Sequence, residues 1–106
     1  MTRTMVRYKV KADRVEENER YVSAVFEQLK REQPPGLRYA TFKLDDGVSF
    51  MHIVSLETTD GSNPIVDLAA FKAFSASVRD RCAEPPVFVD LQEIGSYHVF
   101  GEQYSF

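Results

Sequence analysis

LRYATFKLDDGVSFMHIVSLE, residues 37–57, reads as two strands folded back on a single turn. Aromatic and β-branched residues fill both halves, and Asp46-Gly47 sits between them, as in a hairpin. A two-residue type I′ turn needs positive φ at both central positions, which Asp-Gly supplies. With Asp45 set against Val48, the register follows. Lys43 opposes Phe50, Thr41 opposes His52, Tyr39 opposes Val54 and Leu37 opposes Leu56. The other face pairs Phe42 with Met51 and Ala40 with Ile53. Because side chains alternate with period two, a slip of one residue would exchange the faces.

Outward from the hairpin, each side offers a helix and a strand. Residues 4–11 alternate, with Val6, Tyr8 and Val10 on one face, expected to look toward the helices. Asp13 with Glu16 resembles a capping box that starts a helix. Val15, Asn18, Val22, Val25, Phe26 and Leu29 give it one stripe, and Pro34-Pro35-Gly36 stops it. Beyond the hairpin, residues 58–63 are a polar loop. A second helix is expected from Pro64 or Asp67 to Cys82, its stripe made by Leu68, Phe71, Phe74 and Val78. Pro85-Pro86 ends the connection, and residues 87–94 form the last strand. The order βαββαβ predicts an α+β, ferredoxin-like fold with both helices on one face of a four-stranded antiparallel sheet. The chain is read as one such domain over residues 1–106, with residues 95–106 an aromatic tail. That tail carries Tyr97, Phe100, Tyr104 and Phe106, and residues 96–100 are expected to be extended and packed.

Composition narrows the functions open to such a domain. With 43% hydrophobic and 27% charged residues, the chain can build a core. A net charge of -3 and no basic run longer than two argue against nucleic acid or an anionic membrane. No apolar stretch approaches the length of a bilayer span. Cys82 is the only cysteine, so no disulfide can form within the chain. The two histidines have no carboxylate at ligand spacing, so no metal site is expected. The unpaired thiol and the absence of a leader-like segment point to the cytoplasm.

A sheet covered by helices on one side leaves its other side open. The hairpin face bearing Phe42, Met51, Ala40 and Ile53 is expected to meet the helices. The face bearing Leu37, Tyr39, Phe50, His52, Val54 and Leu56 is then left uncovered. At roughly 300–400 Å² for a sheet of ordinary strands, such a patch usually marks an interaction site. A second copy of the chain packed face to face would bury it and enclose a cavity.

Three stretches carry a resemblance: Pro35-Gly36-Leu37-Arg38-Tyr39, Phe50-Met51-His52-Ile53-Val54, and Asp67-Leu68-Ala69-Ala70-Phe71-Lys72-Ala73-Phe74. Across residues 4–95 the chain is similar to the dimeric α/β-barrel superfamily and, within it, to the antibiotic biosynthesis monooxygenase-like family. The resemblance implies a homodimeric α/β barrel. It also implies action on polyketide-like aromatics without metal or organic cofactor; other members degrade haem or have no known activity. The chain departs from the family where Leu56 stands near a common third-strand Trp and Phe74 where a second-helix His is common.

His52 is the leading candidate for chemistry. Cofactor-free oxygenation needs a base to turn an acidic phenol or anthrone into an electron-rich anion, and a pocket histidine can do this near neutral pH. Tyr39 would orient the substrate hydroxyl. Thr41, Phe50, Val54 and Leu56 would line the substrate site, and Arg7 would bind an anionic group. Each has a structural counterpart: an internal hydrogen bond for His52 and Tyr39, an end-of-sheet salt bridge for Arg7. Asp90 and Gln92 are either pocket groups or a solvated margin, His98 is a surface or interface residue, and Cys82 is inert. Three functions therefore stand side by side. The first is a cofactor-independent monooxygenase with His52 and Tyr39 as catalytic residues. The second is a non-catalytic dimer binding a small hydrophobic or aromatic ligand, and the third a structural dimer module.

Overall fold

A computed structural model describes residues 2–99. Strand β1 (Thr2–Val10) leads through a short 3-10 turn (Ala12–Arg14) into helix α1 (Val15–Glu32). Strands β2 (Leu37–Lys43) and β3 (Ser49–Leu56) follow, then a second 3-10 turn (Pro64–Asp67), helices α2 (Ala69–Ala76) and α3 (Val78–Arg81), and strand β4 (Cys82–Leu91). The strand order is β2-β3-β1-β4 with every neighbour antiparallel, the ferredoxin-like arrangement the element order predicts. No helix among the described residues is long and apolar enough to cross a membrane.

The hairpin register is the one read from the sequence, from Leu37 against Leu56 to Lys43 against Phe50. Its turn is different. Leu44 N–H donates to Ser49 and Gly47 N–H to Leu44, so the loop has four residues, Asp45–Val48. Gly47 has φ 78°, whereas Asp46 does not enter the positive region. Asp46 instead folds its carboxylate back to accept from the Ser49 hydroxyl and the Val48 and Ser49 amides. Those bonds hold its carboxyl down to about 2. Two and four loop residues share the same parity, so the register survives the change of turn.

The faces of the hairpin are exchanged relative to the expectation. β1 pairs with β3 so that Val6 opposes His52 and Tyr8 opposes Phe50. The side of β1 that meets the helices, with Tyr8 and Val10 buried, is therefore the side that carries Phe50 and His52. Leu37 and Tyr39 pack on the same core, with Val25 of α1, Ile65, Leu68 and Phe74. The face with Ala40, Phe42, Met51 and Ile53 is the open one, joined by Met5 and Arg7 of β1 and Val87, Val89 and Leu91 of β4. Both faces are apolar, so alternation alone could not say which one the helices take. The large rings of Tyr39, Phe50 and His52 fill the depth between sheet and helices.

Local starts and stops also differ from the simple signals. Asp13 lies in the 3-10 turn, and α1 begins without a side-chain cap; Arg14 there pairs with Glu17 instead. Its C-terminus closes at Gln33, which is left-handed and donates to the Leu29 carbonyl, just before Pro34. The second helical segment is broken. Leu68 is extended, α2 ends at Ala76, Ser77 interrupts, and Cys82 opens β4 rather than closing a helix. Pro85-Pro86 lie inside this edge strand, where the pairing with β1 shifts between Arg7 and Lys9. An edge strand at a bulge tolerates proline because its outward amides need no partner. No strand continues past Leu91 among the described residues, and Tyr97 and Val99 are exposed rather than packed on this chain. Phe100, Tyr104 and Phe106 lie outside the described residues.

Gly36 has φ 77°, and its carbonyl accepts from Glu57 N–H at 2.7 Å, tying the start of β2 to the end of β3. A Cβ there would stand 2.7 Å from Thr58 Cγ2 and 3.2 Å from Thr58 N, whereas one on Gly47 meets nothing within 4 Å. Gly36→Ala is expected to cost about 2–3 kcal/mol and Gly47→Ala about 1 kcal/mol. Urea unfolding of the two variants checks the order; equal losses would contradict it.

Candidate functional site

The polar centre of the molecule lies between sheet and helices. β3 places His52 there, 4% exposed, and the neighbouring strands bring one hydroxyl to each side of its ring. Tyr39 Oη of β2 is 2.5 Å and Thr41 Oγ1 is 3.1 Å from Nδ1. Tyr8 Oη of β1 is 2.7 Å from Nε2. From Tyr8 the network climbs into the helices. Asn18 of α1 donates its amide to Tyr8 Oη at 2.9 Å, and Arg81 of α3 donates Nε to Asn18 Oδ1 at 3.1 Å. Arg81 also donates to Ser77 Oγ at 2.8 Å and to the Phe74 carbonyl at 3.1 Å. One continuous hydrogen-bonded path thus runs from β2 through the core to the end of α2. Among the described residues no buried side-chain polar atom lacks a partner.

Aromatic rings enclose this path. The centroids of Tyr8, Tyr39 and Phe74 lie 5.3, 5.7 and 5.4 Å from that of His52, and Phe50 stacks on Tyr8 at 5.7 Å. Phe26 of α1 stacks on Tyr39 at 5.2 Å. Burial in this apolar box drives the His52 pKa down to about 4, so the imidazole is neutral at pH 7. Burial likewise pushes the Tyr8 and Tyr39 phenols well above their ordinary value, opposed in part by their bonds to Asn18 and Thr41.

Arg81 is 0% exposed, and among the described residues no carboxylate lies within ion-pair distance of it. Its charge is held by the three acceptors above and by two ring faces, Tyr21 at 4.4 Å and Phe74 at 5.1 Å. Loss of water lowers its pKa from the ordinary arginine value. The Phe74 carbonyl belongs to the last turn of α2, where carbonyls lack helical partners, so Arg81 closes that helix end. A groove of about 530 Å³ between α1 and α2, lined by Glu17, Arg20, Tyr21, Ala24, Ala70 and Ala73, lies over this region.

The sequence-predicted residues fall into two groups. His52, Tyr39, Thr41, Phe50, Val54 and Leu56 do share one face, but it is the helix-covered one, not an inter-sheet cavity. Arg7 is on the opposite face, exposed, and the sheet separates it from His52. Asp90 and Gln92 are exposed at the margin, and the His98 ring lies tilted against that of Tyr97 in the exposed tail. Cys82 is half-buried in β4, and burial pushes its thiol up. Three members of the network were read from the sequence as packing or not singled out at all: Tyr8, Asn18 and Arg81. The available signal was Asn18, a lone amide inside the apolar stripe of α1, which demands a buried partner. No group of three His, Cys, Asp or Glu able to hold a metal occurs among the described residues.

The neutral His52 makes folding sensitive to acid. An unfolded histidine takes a proton near pH 6.5, whereas His52 in the fold resists it until about pH 4. Between those values the unfolded chain binds more protons. The contribution is therefore complete above pH 6.5 and is lost on acidification, about 3 kcal/mol at most. His52→Gln is expected to flatten the fall in urea midpoint between pH 6.5 and 4 relative to the parent chain; parallel curves would contradict it.

No family profile matches the chain. No curated protein matches it. Solved structures do. A protein from Nitrosomonas europaea, named as a candidate antibiotic biosynthesis monooxygenase, superposes with a TM-score of 0.72 at 24% identity, covering 88% of this chain and 89% of that one. One from Caulobacter crescentus, named likewise, gives 0.72 at 18% identity, with 89% and 90% covered. SnoaB from Streptomyces nogalater, a cofactor-independent oxygenase, gives 0.66 at 14% identity, with 90% and 94% covered. The strand order, the two layers and these superpositions agree: the chain has the ferredoxin-like fold of the antibiotic biosynthesis monooxygenase structures.

Proposed function

We propose that this protein is a cofactor-independent monooxygenase acting on a small aromatic or polyketide-like substrate with an acidic hydroxyl. The observation that carries the reading is the Tyr39–His52 pair, 2.5 Å apart, set in an aromatic box on the helix-covered side of the sheet. The names of the structural neighbours support the same class. A flat aromatic suits walls of Tyr, Phe and His rings. Tyr39 is less buried than Tyr8, so a substrate hydroxyl reaches His52 by taking the place of Tyr39 Oη at Nδ1. Loss of the hydroxyl proton gives an electron-rich anion that reacts with O₂ directly. One oxygen atom enters the substrate, converting a ring CH₂ to C=O, and the other leaves as water. Phe74 and Tyr39 must shift to admit the ring, and the interrupted α2–α3 segment is the part of the cover with the fewest continuous helical bonds.

The open sheet face supports a homodimer. Val87, Val89 and Leu91 of β4 are 58%, 41% and 39% exposed, beside Met5, Phe42, Met51 and Ile53 on the same face. A second copy meets that face with the same apolar side chains, and Arg7 stands among them on the central strand β1, between Met51 and Val87, rather than in the substrate site. A dimer at micromolar concentration is expected on a sizing column, and Val89→Asp is expected to shift it to monomer. A parent chain that elutes as a monomer would remove this part of the reading.

The activity test is oxygen uptake with anthrone-type and polyhydroxylated aromatic substrates. His52→Ala is expected to lower turnover by about 100-fold or more, with Tyr39→Phe intermediate and Arg7→Ala unchanged. Background uptake across the series, together with a ligand-induced rise in Tm, would instead support a binding protein for a hydrophobic small molecule.

A further inference from the structure

The hydrogen bonds between Arg81 and His52 have a direction. Arginine has donors and no acceptor, so the amide that faces Arg81 Nε must present its oxygen, Asn18 Oδ1, at 3.1 Å. The Asn18 NH₂ then faces Tyr8 Oη and donates to it at 2.9 Å. Tyr8 Oη has one proton of its own, and its other partner is His52 Nε2 at 2.7 Å. Sending that proton anywhere else would leave it unpaired in the core, which costs more than a hydrogen bond gains. An imidazole that accepts at Nε2 and is neutral carries its proton on Nδ1. That proton points at Tyr39 Oη and Thr41 Oγ1.

We propose that Arg81, acting through Asn18 and Tyr8, fixes His52 as the Nδ1–H tautomer, so that the Tyr39 end of the core offers a polarised N–H donor to the anionic oxygen of a substrate. The inference rests on the monooxygenase reading for its ligand and on the hydrogen-bond geometry alone for its tautomer. Arg81 and Asn18 are positioning residues, since neither touches the place a substrate oxygen would occupy. Every bond in the path donates away from the buried cation, and bonds so aligned polarise one another. The site therefore receives an acidic phenol or enol as its anion. The substrate proton goes to solvent, because the Nε2 lone pair is already engaged. His52 stabilises the negative oxygen rather than collecting its proton.

The test is ¹⁵N NMR of the histidine-labelled full chain at pH 7. The parent protein is expected to show a proton on His52 Nδ1 and an acceptor-type Nε2. Asn18→Asp places a carboxylate that accepts from both Arg81 and Tyr8, so Tyr8 Oη must then accept from Nε2–H. The proton is expected to move, with the Nδ1–H signal lost and an Nε2–H signal gained. A parent spectrum with the proton on Nε2, or a variant that keeps it on Nδ1, overturns the proposal; the parent spectrum decides alone if the variant does not fold. The ligand arm uses 4-nitrophenolate at pH 8, expected to bind about tenfold more weakly to Asn18→Asp. Equal binding, or none to the parent chain, overturns the anion-receiving role. An Nδ1–H parent with no oxygen uptake on any aromatic keeps the tautomer assignment and sinks the oxygenase reading instead.

Discussion

A guanidinium sealed from water must be solvated by the protein, and Arg81 is the point on which the two layers agree. It closes the last turn of α2 through the Phe74 carbonyl, holds Ser77 where the helix breaks, and reaches across to Asn18 of α1. Hydrogen bonds to a charged group contribute about 1.5–3 kcal/mol each. Removing any acceptor also leaves charge in a dry interior, which is why such clusters tolerate little change. The interruption at Ser77 goes with these bonds. With α2 ending at Ala76, the Phe74 carbonyl lies in its last turn, and the Arg81 guanidinium donates to it.

From Asn18 the same constraint passes to the sheet. Tyr8 and His52 sit on the two central strands, so their mutual bond crosses the β1–β3 pairing, and Tyr39 extends it to the edge strand β2. A shift of one residue in the β1–β3 register would turn Tyr8 or His52 to the open face and break the path at its middle. Polar specificity and strand register therefore reinforce each other, as expected where buried polar groups select one packing.

Much of the architecture was legible in the chain. Alternation in β1, the stripe of α1 and the parity of the hairpin were local patterns with one physical solution each. What could not be read was relational. The hairpin pairs Tyr39 with Val54 and Ala40 with Ile53 equally well on either side, and only the Val6–His52 alignment, a long-range pairing, says which side meets the helices. Asp46 mimicked a type I′ turn because Asp-Gly serves several turn types, and side-chain capping chose another. Within the site, His52, Tyr39 and Thr41 were visible as polar members of one strand face. Arg81 was not, because a charged residue between Asp80 and Cys82 looks like a solvated helix surface until the chain turns back on itself.

The paired prolines of β4 have a consequence for how this sheet meets other chains. β4 is an outer strand, and Pro85-Pro86 remove two successive amide hydrogens from it near the middle of its length. A passing extended segment finds the ladder of donors interrupted there, which blunts the growth of the sheet sideways. Backbone zippering, which has no natural end, is thereby disfavoured along this side of the sheet.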